Sequence, residues 1–579
     1  MVKSSRSLRH YLMAGLCGSA LLMGACSGGD KTPAEEITVD AASLELSQAD
    51  ATALSRYFQV APRSGDEATT LQRLDSLELS ASEDMSAGRV IDGSTVSFTD
   101  WRTTSEDGTY TADSVTLIGL HEEDGQTTFD KMIVNNFAAL TYEGEGDART
   151  QTANVNVEEL TVVSPTPDLA LALARMIRGA DGADVLDGDA ANELSDTASF
   201  KALHLKAMTL DAAEGGDIAK ARVGQIVVGN DADAEEADLI VESIDFDFRS
   251  DDDAADVFAL KMDGMTALGL DTSTTQSAMQ GTPLAGGLFE NLLSPSGKLP
   301  YRQIDLGTVD FRSAMFDLVM DGFEADSDVD GVVTTLRSVL SPMTVTIKDA
   351  ANTPVAPYME VLRNNGLDVI TLKGSQTMTM NSRTDRMAVS DARIEIDEGL
   401  RTRCDYTLDG INAAAAAMKA TGLTPPELFI TTEGDTTQEE REAQVADYIA
   451  AMEAYNAAQA EANSKIRIVG LNCDVQDVPG NSLVERGYAV ASEITGSPVA
   501  VLKGSAKTAI ALGSMMAPSE FERDLMDTVG SGLIDFIDTP GQTMRITMAP
   551  ENPVPITSLT GQAGEEPTIK PLGLSVEVK

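Results

Sequence analysis

Apolar and polar residues alternate along much of the chain after about residue 89. Clear examples are Val96 with Phe98, Val115 with Leu117, Val155 with Val157, and Ile244 with Phe246 and Phe248. Successive side chains of a strand point to opposite faces of a sheet, so this alternation predicts strands with one face in a core and the other in water. We therefore expect most of the chain to form strands.

Turn residues between these runs support the same interpretation. Glu123-Asp124-Gly125-Gln126 lies between the alternating segments 114–120 and 127–134. Asp and Gly accept the positive backbone dihedral angles that a tight hairpin turn needs. This stretch therefore predicts a hairpin.

A short pattern, apolar-x-apolar-Asp-Gly-apolar-x-Ala, occurs at residues 260–267, 318–325 and 406–413. The tetrapeptide Asp-Phe-Arg-Ser precedes two copies, at 247–250 and 310–313. A recurring unit of paired strands, in which a glycine ends or bends one strand, would account for the pattern. The simpler alternative is that Asp-Gly recurs because it is a common hairpin turn.

Helices are predicted between the strand segments. They span residues 167–178, 284–293, 355–364, 411–420 and 520–537, and the longest runs from Thr437 to about Asn463. Thr437 and Glu440 have the spacing of a capping box, in which two side chains satisfy free amides of the first turn. Apolar residues follow one side of this helix at Val445, Tyr448, Ile449, Met452 and Tyr455. Such a stripe predicts a helix docked on another element or, less favoured, one that binds a partner.

These patterns predict an α+β fold dominated by strands. We expect repeated antiparallel strand pairs in curved or elongated sheets, interspersed helices and one long helical excursion at residues 436–464. Chain breakers cluster at residues 294–300, Ser-Pro-Ser-Gly-Lys-Leu-Pro. They predict a boundary between two β-rich domains, 41–295 and 300–579, the first of which begins with a helix.

The first 25 residues have the layout of a signal peptide. Lys3, Arg6 and Arg9 precede an apolar run shorter than the roughly 20 residues of a membrane-spanning helix. The run ends Leu-Leu-Met-Gly-Ala-Cys26, which resembles the lipobox of bacterial lipoproteins. The resemblance implies cleavage before Cys26, a membrane anchor of lipid on that residue, and a flexible tether over residues 26–40. The alternative is an ordinary signal peptide with an incidental cysteine.

The residue after Cys26 and the net charge of the chain bear on which membrane holds the protein and on what it can bind. Ser27 stands where an aspartate favours inner-membrane retention in some lipoproteins, so the resemblance favours the outer membrane of the cell envelope. The chain has 42 Lys and Arg against 92 Asp and Glu, a formal net charge of −50. Such a chain repels phosphates, which excludes nucleic acid as a partner and keeps the body away from anionic headgroups.

Two cysteines remain besides Cys26 and the cysteine of the leader. Cys404 and Cys473 flank the long predicted helix, and the oxidising envelope favours a disulfide between them. The bond would clamp the base of the helical excursion, and closing a loop of about 70 residues is worth roughly 4 kcal/mol in the loop-entropy model. Two free thiols or a metal-binding pair are the alternatives.

One segment matches the opening of a calcium loop. Asp326, Asp328 and Asp330 alternate before Gly331, as in an EF-hand, where such carboxylates converge on one Ca²⁺ ion. Arg337 occupies the position that needs a glutamate, which weakens the match. No other cofactor is predicted, and we find no Gly-x-Ser-x-Gly, Walker-type or His-Glu-x-x-His motif. No catalytic residue is therefore proposed from sequence.

The strand pairs, glycine corners and interspersed helices are loosely similar to periplasmic proteins of the AsmA-like kind. That resemblance implies curved sheets with an apolar groove for lipids, and it transfers no individual residue. We therefore expect a membrane-tethered lipoprotein with a non-enzymatic role, which holds an apolar ligand such as a lipid or binds an envelope protein. The alternatives are a calcium-stabilised surface adhesin or assembly component, and a hydrolase of envelope polymers.

Overall fold

The chain divides into two compact units. The computed structural model describes residues 54–61, 63–79, 88–104, 108–143, 150–178, 199–214, 216–231, 236–250, 257–271, 301–348, 356–423, 438–517, 520–558 and 568–579. Unit 1 comprises residues 1–281 and 300–314, and unit 2 comprises residues 282–299 and 315–579. The fold is dominated by strands, with 52% strand and 29% helix, which confirms the predicted fold class.

Unit 1 is built on an antiparallel meander. Its strands are β1 (Val90–Asp92), β2 (Thr95–Thr104), β3 (Gly108–Ile118), β4 (His121–Glu123), β5 (Gln126–Thr128), β6 (Lys131–Glu143), β7 (Thr150–Val163), β8 (Ala202–Glu214), β9 (Asp217–Asp231), β10 (Glu236–Arg249), β11 (Val257–Asp271) and β12 (Gln303–Ser313). Strands β4 and β5 form a separate hairpin whose turn residues Asp124 and Gly125 have positive φ, as predicted. Each other strand pairs with its neighbours in chain order.

Two helices, α1 (Glu67–Ser76) and α2 (Pro167–Arg178), close the core on one face of this sheet. Helix α1 begins after Asp66, whose carboxylate accepts a hydrogen bond from the Thr69 amide at 3.0 Å. Leu74 of α1 and Ile177 of α2 are buried with the side chains of β2, β3 and β6. The Trp101 indole of β2 donates to the Ile177 carbonyl at 3.3 Å and so fixes the end of α2.

A line of irregular residues crosses the unit 1 sheet and changes the phase of the alternation. Asp100 in β2, Asn136 in β6 and Ala207 in β8 have φ values of 53°, 50° and 49°, and Gly264 in β11 has 84°. Strand pairing places these residues at one level across the sheet. The strands stay in register across the line, so these residues are not bulges, but the buried positions of β2 and β3 change phase there. Apolar residues on both sides of the line therefore reach the same core.

In the described part of the chain, unit 2 contains ten further antiparallel strands and most of the helices. Its strands are β13 (Phe316–Met320), β14 (Phe323–Asp330), β15 (Val333–Ile347), β16 (Val369–Asn381), β17 (Arg386–Ile396), β18 (Leu400–Asp409), β19 (Arg467–Asp477), β20 (Thr543–Met548), β21 (Val554–Pro555) and β22 (Leu574–Val578). Its helices are α3 (Met359–Asn364), α4 (Ile411–Thr421), α5 (Gln438–Asn463), α6 (Leu483–Thr495), α7 (Val499–Met516) and α8 (Glu520–Asp538). Strands β15 to β19 pair in chain order.

The two faces of the unit 2 sheet differ in polarity. Strand pairing sets Leu336, Met378, Val389, Tyr406 and Leu471 in one row across β15 to β19. The alternate residues of these strands carry charge on the other face. There, two arginines share one acid: the guanidinium groups of Arg393 and Arg403 lie 2.7 and 2.8 Å from the Asp391 carboxylate. Helix α8 covers the β22 end of the apolar face, where Gly532 lies against Val576.

Most predicted elements are confirmed, and some were missed. Helices at 167–178, 411–420, 437–463 and 520–537 occur within a residue or two of the expected ends, and 355–364 is a short 3-10 turn followed by α3. The helix expected at 284–293 and most of that expected at 41–60 lie outside the described residues, and residues 56–58 form a 3-10 turn. Helices α1, α6 and α7 were not predicted.

The glycine pattern has a structural role other than a hairpin turn. Gly322 separates β13 from β14, which both pair with β15. Gly410, with φ 86°, ends β18 and precedes α4. In these two copies the glycine ends a strand, as the first interpretation of the pattern expected, whereas β11 continues through Gly264.

The predicted domain boundary differs from the division that the structure gives. The breaker cluster at 294–300 lies outside the described residues. Strand β12 follows it and pairs with β11, so residues 300–314 belong to unit 1 and not to the second unit. The prolines and glycines therefore lie in a connection between two paired strands of one unit. Composition alone does not distinguish such a connection from a domain boundary.

Candidate apolar binding face

One face of the unit 1 sheet is apolar across its whole width. On one side of this line of irregular residues, strand pairing aligns Phe137, Val157, Met208, Val223 and Ile244 from β6 to β10. Helices α1 and α2 lie on this same face, and their side chains share its core. The face is therefore roofed by helix at one end and continues beyond that core as rows of half-buried apolar residues.

The far part of this face carries a group of half-buried aromatic residues. We call it the phenylalanine patch; it consists of Phe246, Phe248, Phe258, Leu260 and Phe311. The ring of Phe258 lies 5.2 Å from that of Phe246 and 5.5 Å from that of Phe248, between ring centroids. Leu260 pairs with Phe246 on one side and with Phe311 on the other. Three neighbouring strands thus present one continuous apolar surface.

The opposite face of the same strands is charged, and its charges are paired locally. Arg249 forks onto Asp247 at 2.9 and 3.0 Å, and Arg312 forks onto Asp310 at 2.9 and 2.6 Å. Both pairs come from the repeated Asp-Phe-Arg-Ser tetrapeptide, whose phenylalanine points to the patch. The repeat therefore encodes a charged outer face and an aromatic inner face on the two strands that flank β11.

Small residues shape the centre of the apolar face. Ala153, Ala212 and Ala219 of β7, β8 and β9 are buried with Leu210, and Phe248 packs against them. These three alanines are only 1–4% exposed, so they belong to the covered part of the face. The geometry suits an elongated apolar molecule better than a compact polar one, because no charged group of the described residues was found among these rows.

The comparisons with known proteins concern the other unit. The family model that matches the chain is described as an uncharacterized protein, and it covers residues 394–579. No curated protein gives a match. The matched segment is less than half of the chain; it contains helices α4 to α8 and both cysteines. It lies in unit 2, so it assigns no activity to the phenylalanine patch.

The predicted disulfide joins two strands of the matched segment. Cys404 of β18 lies directly opposite Cys473 of β19, with their Cα atoms 4.1 Å apart and their sulfur atoms bonded. Helices α4 and α5 form the excursion between these strands. The disulfide therefore ties the two strands from which the excursion leaves and to which it returns, as the sequence predicted.

The predicted calcium segment has a different structure. Asp326, Asp328 and Asp330 lie in β14, and Gly331 forms the turn to β15. Arg337 pairs with Asp326 across this hairpin, with Nη1 2.8 Å from Oδ2. A hairpin holds the three carboxylates along a line, whereas an EF-hand loop wraps them around one point. Within the described ranges, no group of three His, Cys, Asp or Glu residues is placed to hold a metal ion.

Both histidines outside the leader make structural contacts in unit 1. His204 lies edge-on to Phe58, and its Nδ1 is 3.3 Å from Glu159 Oε1. The hydrogen bond from His204 holds the pKa of Glu159 below its ordinary value, although partial burial acts in the other direction. The Nδ1 of His121 lies 2.8 Å from the Gly119 carbonyl oxygen. Neither arrangement pairs a nucleophile with a base.

Two further observations bear on the membrane. Cys26, the signal peptide and the tether to residue 40 lie outside the described residues. Among the helices that the structure describes, none is both long enough and apolar enough to cross a bilayer.

The phenylalanine patch was missed by sequence reasoning. Alternation in β10 identified Phe246 and Phe248 as inward-facing, but Phe311 lies more than 60 residues away in the chain. Only the strand order β10–β11–β12 brings the three together. The available signal was the repeated Asp-Phe-Arg-Ser, which places an equivalent phenylalanine in both outer strands.

Proposed function

We propose that this protein is an envelope lipoprotein, tethered through Cys26, that binds an apolar ligand of lipid chemistry at the phenylalanine patch of unit 1. The observation that carries the proposal is the phenylalanine patch: five large apolar side chains on three adjacent strands, half-buried and continuous with a helix-roofed core. A contiguous apolar surface of this kind ordinarily marks a binding site.

The charge distribution supports an apolar ligand over a charged one. In β10 and β12 the arginines form forks with aspartates on the outer face, so they do not line the patch. The ligand would gain free energy by removing apolar surface from water, at about 25 cal/mol per Å² buried.

The test compares two substitutions in adjacent residues of β11. Phe258→Asp puts a charge into the patch, and Ala259→Asp puts the same charge on the opposite, already charged face. Native mass spectrometry of the chain purified from the envelope should show bound lipid in the wild type and in Ala259→Asp, and its loss in Phe258→Asp. The same spectra report whether Cys26 carries lipid.

Fluorescence of the single tryptophan serves as the control for correct folding of the variants. Trp101 is buried in the unit 1 core, so an unchanged emission spectrum shows that Phe258→Asp leaves the core intact. A wild-type chain without bound lipid, or equal lipid in both variants, would reject the binding proposal. A chain without lipid on Cys26 would reject the tether and leave the patch proposal standing.

A further inference from the structure

Helix α7 turns its charged residues inward. Lys503 and Lys507 are the charged residues of this helix. The Lys503 ammonium lies 5.6 Å from the ring centroid of Tyr488 in α6. Lys507 forms an ion pair with Asp538 at the end of α8. Both lysines therefore contact the two neighbouring helices and lie outside the exposed, uncharged side of α7.

The other side of α7 is exposed and uncharged. Its exposed residues are Ala500, Val501, Gly504, Ser505, Thr508, Ala509, Ala511 and Leu512, and we call this surface the α7 face. Val501 and Leu512 are 54% and 46% exposed. The Thr508 hydroxyl donates to the Gly504 carbonyl at 2.8 Å, so it is satisfied within the helix. Water-facing sides of helices normally carry charged and polar residues, whereas this side carries no charged residue.

The α7 face lies in a stretch without acidic residues. Neither Asp nor Glu occurs from Ile494 to Ser519, although the chain has 92 of them, and no longer acid-free stretch follows residue 29. Two copies of a chain with net charge −50 repel each other through their acidic surfaces. The α7 face is where that repulsion is weakest, so its charge suits a second copy of this chain.

Six of the eight exposed residues also follow a two-fold pattern. Counted from the two ends of the face, Val501 corresponds to Leu512, Gly504 to Ala509, and Ser505 to Thr508. When two copies of α7 lie antiparallel about a two-fold axis, each residue meets its counterpart in the other copy. An interface between identical subunits needs this self-complementarity. The small central residues allow the two helix axes to approach closely.

We propose that the protein forms a homodimer through antiparallel α7 helices, with Val501 of each copy against Leu512 of the other. These two residues are about 16 Å apart along the helix axis at 1.5 Å per residue. One helix face buries less than the roughly 1,200–2,000 Å² of specific stable complexes, so the dimer is weak and depends on concentration. A bilayer is a poorer occupant, because the face lacks the aromatic residues and flanking cations of interfacial helices.

Sedimentation velocity of the full chain in nonionic detergent tests the proposal. The dimer fraction should rise with protein concentration, and it should rise between about 0.05 M and about 0.5 M salt because screening reduces like-charge repulsion. A contact held by ion pairs would respond to salt in the opposite direction. Ala509→Glu places a carboxylate in the face of each copy and should abolish the dimer.

The matched control is Ala451→Glu, the same substitution at an exposed position of α5. It should leave the dimer unchanged, and both variants should keep the wild-type circular dichroism spectrum. A monomer under all conditions, or a dimer that Ala509→Glu leaves intact, would overturn the proposal. A monomer whose α7 amides become protected only on phosphatidylcholine vesicles would assign the α7 face to a lipid surface and would also overturn it.

Discussion

The two units use the same antiparallel sheet but differ in how much of it they bury. Among the described residues, the twelve largest fully buried side chains all belong to unit 1, and thirteen of the fifteen exposed large hydrophobic side chains belong to unit 2. Unit 1 therefore gains its stability from a closed core. Unit 2 contains the disulfide and leaves more of its large apolar side chains exposed.

This difference shows that an amphipathic sheet does not by itself determine a core. In both units the strands present an apolar face, and in unit 1 the roof helices pack directly on it. In unit 2, helix α7 packs on α6 and α8 and leaves one uncharged side in water. The position of the helices therefore decides which apolar side chains become interior and which stay exposed.

The largest expected effect is the loss of a core side chain in unit 1. Phe129 is fully buried, and Phe129→Ala should cost about 3–5 kcal/mol of unfolding free energy through lost burial and a cavity. Urea unfolding followed by Trp101 fluorescence measures it. A cost below about 1 kcal/mol would contradict the claim that burial dominates the stability of this unit.

The second largest expected effect is on the stability of unit 2 alone. Replacing both Cys404 and Cys473 with alanine should destabilise unit 2 by about 2–4 kcal/mol, because the unfolded chain regains the freedom of the closed loop. Hydrogen exchange of the β18 and β19 amides should become faster. The Trp101 transition of unit 1 should not move; a matching shift there would show that the two units unfold together.

The smallest effect concerns an ion pair on the charged face of unit 2. Hydrogen bonds from Arg545, at 2.6 and 2.7 Å, lower the pKa of Asp474. The folded chain therefore binds this proton less tightly than the unfolded chain. The pair stabilises the fold above the ordinary carboxyl pKa, and this contribution is lost as pH falls through the lowered pKa. Asp474→Asn should slightly lower thermal stability at neutral pH and converge with the wild type in acid. An equal difference at all pH values would contradict this origin.

Local signals predicted much of the fold. Alternation identified the strands, Asp124-Gly125 identified the hairpin, and apolar spacing identified α2. The start of α6 also has a local signal. Ser482 accepts a hydrogen bond from the Glu485 amide at 2.9 Å, which is a helix-capping arrangement. Helix α7 gave no such signal, because its outward side is not polar and the usual 3.6-residue contrast is absent.

The features of the candidate sites depend on pairing between distant residues. The line through Asp100, Asn136 and Ala207 changes which face each strand presents, and a strict period of two would place the residues beyond it on the wrong side. The phenylalanine patch depends on the same strand order. Neither feature follows from a single segment, because each exists only once neighbouring strands are in register.

The attachment of the N-terminal segment to unit 1 has a mechanical consequence. Leu54, Tyr57 and Phe58 are buried on the sheet face opposite α1, and the Tyr57 hydroxyl donates to the buried Asp238 carboxylate at 3.0 Å. Gly229 lies so close to the Tyr57 ring that any side chain there would displace it. A pulling force applied from the N-terminal side is therefore shared by several side-chain contacts across β9 and β10. Because the force is shared, it does not detach one edge strand first.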